Sequence, residues 1–165
     1  MKSRITAWLA CGSLITLCIG CAPNARVATT LNHDATLPAQ VLQPLQGTAL
    51  TSWVDPAHST MSTLFANQTA AAYARTHSDS AYPAGSALTV VTWKQQEDAR
   101  WFGGRIPAKP ESVERLEVIK SADGSPSYRY RKFAGDPLST VAEESSAAAN
   151  PRIVQILSFR AAVMP

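Results

Sequence analysis

The chain has 165 residues, of which 45% are hydrophobic and 16% charged, with a formal charge of +3. That is ordinary globular composition, sized for one domain and a short appendage. The charge excludes a nucleic-acid partner: taking Lys2 and Arg4 of the N-terminal segment from the 15 basic residues leaves 13 against 12 acidic, alternating in sign with no basic stripe to neutralise phosphates.

Residues 1–21 read as an export signal. Lys2 and Arg4 form a positive start, Ile5 to Ile19 is uncharged and apolar, and Gly20 and Cys21 follow. The run is shorter than the ~20 residues that span a bilayer, which disfavours a permanent transmembrane helix. Cys18-Ile19-Gly20-Cys21 follows the lipobox of bacterial lipoproteins at Gly20 and Cys21, with Cys18 where Leu is preferred. Either Cys21 is lipidated and holds the chain at a membrane surface, or cleavage near Gly20-Cys21-Ala22 releases a soluble periplasmic protein. Ala22 carries no acidic retention signal, which directs a lipoprotein to the outer membrane. All three cysteines, Cys11, Cys18 and Cys21, lie in this segment, so the domain has no disulfide, thiolate nucleophile or thiolate ligand. The Cys-x-x-Cys spacing is followed by Ala22, where c-type haem attachment needs His.

Residues 22–50 are rich in Ala, Thr, Pro, Gln and Asn and read as a flexible tether, with a short apolar docking segment at Val41-Leu42 and Leu45. The domain is placed at 51–165, with order beginning near Trp53. From Thr60 to Thr76, Met61, Leu64, Phe65 and Ala72 share one helical face, which predicts a helix capped by Ser59 or Thr60. The glycosylation sequon Asn67-Gln68-Thr69 then falls mid-helix and carries no meaning. Ala87–Trp93 is apolar and β-branched, a buried strand. Lys94–Arg100 reads as a polar connection and Trp101–Pro107 as a short strand or extended turn. Val113–Lys120 and Ser127–Phe133 flank a turn, and Tyr128 and Tyr130 alternate with Arg129 and Arg131, an antiparallel hairpin. Asn150-Pro151 is a helix start, with an apolar stripe of Ile153, Ile156, Leu157 and Val163 or Met164. The sum is α+β, an antiparallel sheet with packed helices.

Leu64-Phe65-Ala66-Asn67, Ala72-Tyr73-Ala74-Arg75, Tyr82-Pro83-Ala84-Gly85 and above all Thr92-Trp93-Lys94-Gln95-Gln96-Glu97-Asp98 with Trp101-Phe102-Gly103 resemble the cytochrome P-460 family, in particular its small exported members. The resemblance runs from about His58 to the C-terminus, whose Arg160–Pro165 also looks like members of that branch. It implies a mainly antiparallel β domain with packed helices, in the periplasm and often a homodimer. Haem-bearing members attach a c-type haem through a C-terminal Cys-x-x-Cys-His motif, and some oxidise hydroxylamine with a Lys cross-linked to the haem. Here Glu143–Asn150 contains neither Cys nor His, and no His follows His77. The cross-linking Lys falls near Val90, with Lys94 close in sequence but not at the same place. The resemblance therefore carries the fold and not the activity, which points away from an enzyme.

The remaining chemistry is sparse. His58 precedes the predicted helix, and His77 follows it beside Asp79, a pairing able to orient an imidazole. These two are the candidate ligands if a haem is held non-covalently; otherwise no cofactor is expected, and no metal site. Trp93, Trp101 and Phe102 either line a pocket, with Arg105 for an anionic group, or pack as aromatic core. Glu97 and Asp98 are adjacent and diverge on a strand, so they form no acid–base pair. Gly103-Gly104 lacks the Lys-Ser or Lys-Thr of a phosphate loop. Three readings follow: a haem-less envelope lipoprotein with a binding or interaction role, a redox or gas-binding protein using non-covalent haem, and a purely structural envelope protein. A homodimer through edge strands is the expected assembly.

Overall fold

Residues 60–66 decide the architecture. Thr60, Ser62, Leu64 and Ala66 are buried, while Met61, Thr63 and Phe65 between them are half-exposed, a period of two rather than 3.6. The computed structural model, which describes residues 31–39, 47–146 and 150–162, makes this segment strand β2 (Thr60–Ala66). The helix expected over Thr60–Thr76 is thus corrected to a strand followed by α1 (Gln68–Thr76). Met61, Leu64 and Phe65 suit a helical face as spacings, but pairing on both sides, with β1 (Thr48–Asp55) and β3 (Ala87–Glu97), satisfies the backbone of a central strand. Hydroxyl pairs reinforce it: Ser52 Oγ meets Thr63 Oγ1 and Ser62 Oγ meets Thr92 Oγ1, each at 2.9 Å.

The sheet continues through β4 (Arg105–Lys120), β5 (Pro126–Ala134) and β6 (Ser139–Ser146), six antiparallel strands in chain order, with α2 (Pro151–Ser158) following. The fold is α+β and mostly sheet, as expected at that level. The β4–β5 hairpin and the start of the Asn150-capped helix form where the sequence places them, but β4 begins already at Arg105, and the helix ends at Ser158, short of the stripe expected to reach Val163 or Met164. Other expectations are corrected. Ordered structure precedes Trp53, with β1 starting at Thr48. The polar run Lys94–Arg100 is strand as far as Glu97, because Gln95–Glu97 pair with Arg105–Pro107. Strand β6 was not foreseen: its Ala, Ser and Glu residues have weak β preference, and pairing along β5 imposes the conformation. Part of the stretch expected as tether belongs to the fold. Leu37 is buried with Val91, Val113 and Leu138, and Trp93 Nε1 donates to Ala35 O at 3.0 Å across a 3-10 turn, His33–Ala35. The export signal with Cys21, the Val41-Leu42 and Leu45 segment, and Val163 and Met164 lie outside the described residues.

Alternation gives the sheet two faces. One presents Leu64, Leu88, Val90, Leu116, Val118 and Tyr130 and is covered by both helices. The other carries Phe65, Val91, Trp93, Val113 and Phe133, with Leu37 and Leu138 against them. Helix α1 lies close on the first face because its buried side chains are Ala70, Ala71 and Ala74. Asn67, whose sequon falls at the helix start rather than mid-helix, fixes that start. Its Oδ1 accepts from Ala70 N at 3.0 Å and Ala87 N at 3.1 Å, and its Nδ2 donates to Gly85 O at 2.8 Å. One side chain thus caps α1 and pins the beginning of β3. Asn67→Ala is expected to lose about 1–2 kcal/mol, read as a lower urea midpoint at unchanged slope; an unchanged midpoint contradicts this role.

Helix α2 buries Ile153, Ile156 and Leu157, each worth about 1.5–3 kcal/mol of apolar burial. Its first turn holds Arg152, which reaches the buried carboxylate of Glu114 on β4 through Nε and Nη2, both at 2.7 Å. Tyr130 Oη donates to the same carboxylate at 2.6 Å. Beyond the helix, Phe159 stacks on Trp53 with ring centroids 4.5 Å apart, and Ala162 N donates to Leu50 O at 2.7 Å. The C-terminal segment therefore straps the sheet from β4–β5 to β1.

Candidate functional site

Bulges between Thr92 and Gln95 break the regular pairing of β3 with β4. There the 3-10 segment, β3, β4 and the β5–β6 turn leave a groove of about 630 Å³, within the usual range for ligand sites of roughly 300–1,000 Å³. Its walls carry Asp34, Lys94, Lys109, Glu111 and Asp136, interleaved with prolines and Leu138. Lys109 Nζ pairs with Asp136 Oδ2 at 3.1 Å, both largely exposed, so the bridge holds little energy and is exchangeable for a ligand's charges. Such a lining suits a small molecule bearing charge of both signs against an apolar surface. A second cavity, about 300 Å³, lies between β1–β2 and Trp93 and is mostly apolar, with Val54, Met61 and Pro107 in its lining.

The residues singled out in the sequence do not converge. Trp93 borders the smaller cavity and anchors the 3-10 segment. Trp101 and Phe102 sit in the β3–β4 loop at 73% and 111% exposure, neither pocket lining nor core. Arg105 is exposed beside Glu97, 3.8 Å away. Lys94, set aside because it does not align with the cross-linking position, lines the groove.

Neither histidine lines either cavity. His58 occupies the β1–β2 turn at 77% side-chain exposure, with Nδ1 2.7 Å from Asp55 Oδ2. Asp55 Oδ1 also accepts from Ala57 N and His58 N, closing the turn. The hydrogen bond to Asp55, joined by the pair's charge attraction and by Glu111, raises the His58 pKa above an ordinary histidine; the same bond lowers that of Asp55. Imidazole resonances followed by NMR across pH are expected to show His58 titrating high. Asp55→Asn is expected to return it toward the ordinary value, and no change on that substitution contradicts the pairing.

The His–Asp pairing expected at His77 and Asp79 is not formed. Asp79 Oδ1 accepts from the Tyr73 hydroxyl and from Ala81 N, which lowers its pKa and raises that of Tyr73. His77 instead stacks on Tyr73, centroids 4.0 Å apart, with Nδ1 2.8 Å from Thr76 Oγ1. The helical spacing of Tyr73 and His77 brings the rings together, and the tyrosine takes the carboxylate. Among the described residues no group of three His, Cys, Asp or Glu side chains is placed to hold a metal ion.

The chain matches no protein-family model and no curated protein sequence.

Two features escaped sequence reasoning. The groove is built from four distant segments and has no local signal. The Glu114 cluster had one: in Val113-Glu114-Arg115-Leu116-Glu117-Val118, a period of two puts Glu114 on the same face as Leu116 and Val118. A carboxylate in a core series calls for a cationic partner.

Proposed function

We propose that the chain is an exported envelope lipoprotein, anchored at the outer membrane through Cys21, with a haem-less domain of the cytochrome P-460 type. Its role is binding rather than catalysis, and the mixed-charge groove is the binding surface. The observation that carries this reading is where the chemistry-bearing side chains stand. His58 and His77 are exposed, each engaged locally, and away from both cavities. A c-type haem has no attachment cysteines in the domain, and neither candidate histidine for a non-covalent haem, His58 or His77, lines either of the two cavities, so these residues do not fit the group. The mainly antiparallel sheet with helices on one face agrees with the resemblance at the level of class.

A homodimer belongs to the same reading. Of the two outer strands, β1 already receives the hydrogen bond of Ala162, which leaves β6 as the edge for self-pairing.

The purified mature protein is expected not to turn over hydroxylamine, and intact mass is expected to show a lipidated N-terminal Cys21. Steady turnover contradicts the non-catalytic reading. A mature mass with an unmodified N-terminus contradicts the anchor.

A further inference from the structure

The β3–β4 hairpin outreaches its neighbours. Pairing of β3 with β2 ends at Lys94, and pairing of β4 with β5 starts only at Ser112. Gln95 N still donates to Ser59 O at 2.9 Å and Pro107 O accepts from Asn32 Nδ2, so beyond them Gln96–Glu97 and Arg105–Ile106 pair with each other alone, a short two-stranded tip projecting from the sheet. At its end stand Trp101 and Phe102, the most exposed aromatic side chains in the described fold.

This exposure is built rather than slack. Asp98 N donates to Gly104 O at 3.0 Å, Gly104 N to Trp101 O at 2.8 Å, and Trp101 N to Asp98 O at 3.3 Å. Asp98 Oδ1 accepts from Arg100 N at 2.8 Å. Gly103 takes φ +75°, and a Cβ on Gly104 would stand only 3.0 Å from Trp101 O, so the turn depends on both glycines. A tight loop that holds two large apolar rings side by side in water offers a contact surface.

Charge selects what that surface meets. Arg100 and Arg105 flank the aromatic pair in sequence, with Glu97 and Asp98 as the acidic residues of the tip, while Lys94 and Lys109 lie further down among Asp34, Glu111 and Asp136 of the groove. Asp98 is committed to the turn. The Arg105–Glu97 contact, 3.8 Å and exposed, is weak enough to be traded for a phosphate. Aromatic rings between cationic side chains match the boundary layer of an anionic bilayer, where the rings enter the acyl–headgroup region and the cations meet phosphates.

We propose that this loop is a membrane-contacting tip: Trp101 and Phe102 insert into the interface of an anionic lipid surface, with Arg100 and Arg105 on its headgroups. The contact does not require a lipid on Cys21, so it stands or falls separately from the anchor.

The test uses the full chain on vesicles of phosphatidylcholine and phosphatidylglycerol with brominated acyl chains. Trp101 emission is isolated as the difference between the chain and Trp101→Phe, which removes signal from the N-terminal segment. That difference is expected to shift to the blue and to be strongly quenched by the brominated lipid. Phe102→Ser with Arg100→Glu and Arg105→Glu, all on exposed side chains, is expected to weaken the quenching affinity roughly tenfold or more. Emission unquenched at lipid concentrations where the chain sediments with vesicles overturns the proposal, as does failure to bind vesicles at all. A Trp101 signal that follows protein concentration and ignores lipid also overturns it and assigns the loop to contacts between protein molecules.

Discussion

Arg152→Ala is expected to cost about 3–5 kcal/mol at neutral pH. The substitution strands the Glu114 carboxylate, only 4% exposed, with the Tyr130 hydroxyl as its remaining donor from the triad. It also detaches the first turn of α2 from the sheet. The pH dependence is a sharper signature than the size. In the native protein, burial pushes the Glu114 pKa up, but hydrogen bonds from Arg152 and Tyr130 outweigh it and hold the carboxyl below its ordinary value. A depressed folded-state pKa means this contribution is present above the unfolded carboxylate pKa, near ~4.3, and is lost as pH falls through the folded value. Without Arg152, burial dominates and the carboxyl shifts upward. The deficit of Arg152→Ala is therefore expected to shrink as pH falls from 7 toward 5, because protonating Glu114 relieves the stranded charge. Glu114→Gln with Arg152→Met removes both charges and is expected to be much less destabilised than Arg152→Ala alone. Urea midpoints at several pH values check each point, and an Arg152→Ala deficit that is constant with pH contradicts the account.

The second large effect lies on the same helix. Ile156 is fully buried between α2 and the helix-covered face of the sheet. Ile156→Ala is expected to lose about 2–5 kcal/mol through lost burial and the cavity left behind. Val154, two residues earlier and 53% exposed, is the internal control: Val154→Ala is expected to stay within about 0.5 kcal/mol. Arg152→Ala and Ile156→Ala share one docked helix, so their combined cost is expected to fall short of the sum. Comparable losses at Val154 and Ile156 contradict the orientation of α2.

The sequence was most informative where a local signal and tertiary demand agree. Tyr128 and Tyr130 alternate with arginines and form β5; Asn150-Pro151 opens α2, with Asn150 Oδ1 accepting from Arg152 N at 2.8 Å. It misled where two periods fitted the same residues. Met61, Leu64 and Phe65 satisfy a helical spacing, but Thr60, Ser62, Leu64 and Ala66 satisfy an alternation, and two flanking strands decide between them. Strand β6 carries almost no signal of its own. For the site, residue type was a poor guide without position. Trp101 and Phe102 suggest a pocket or a core by composition, yet they end a projecting ribbon. His77 suggests a pair with Asp79 by proximity, yet Tyr73 holds that carboxylate.

The proposal to be tested is that the domain, which resembles the cytochrome P-460 type in sequence, carries no haem. The most direct measurement is the absorption spectrum of the full-length gene product expressed in a haem-competent bacterium, repeated while haem is titrated into the purified protein. The account expects a colourless protein, and on titration only weak, unsaturable absorbance that is unchanged in His58→Ala and His77→Ala. A Soret band at stoichiometric haem, lost in either histidine variant, contradicts it.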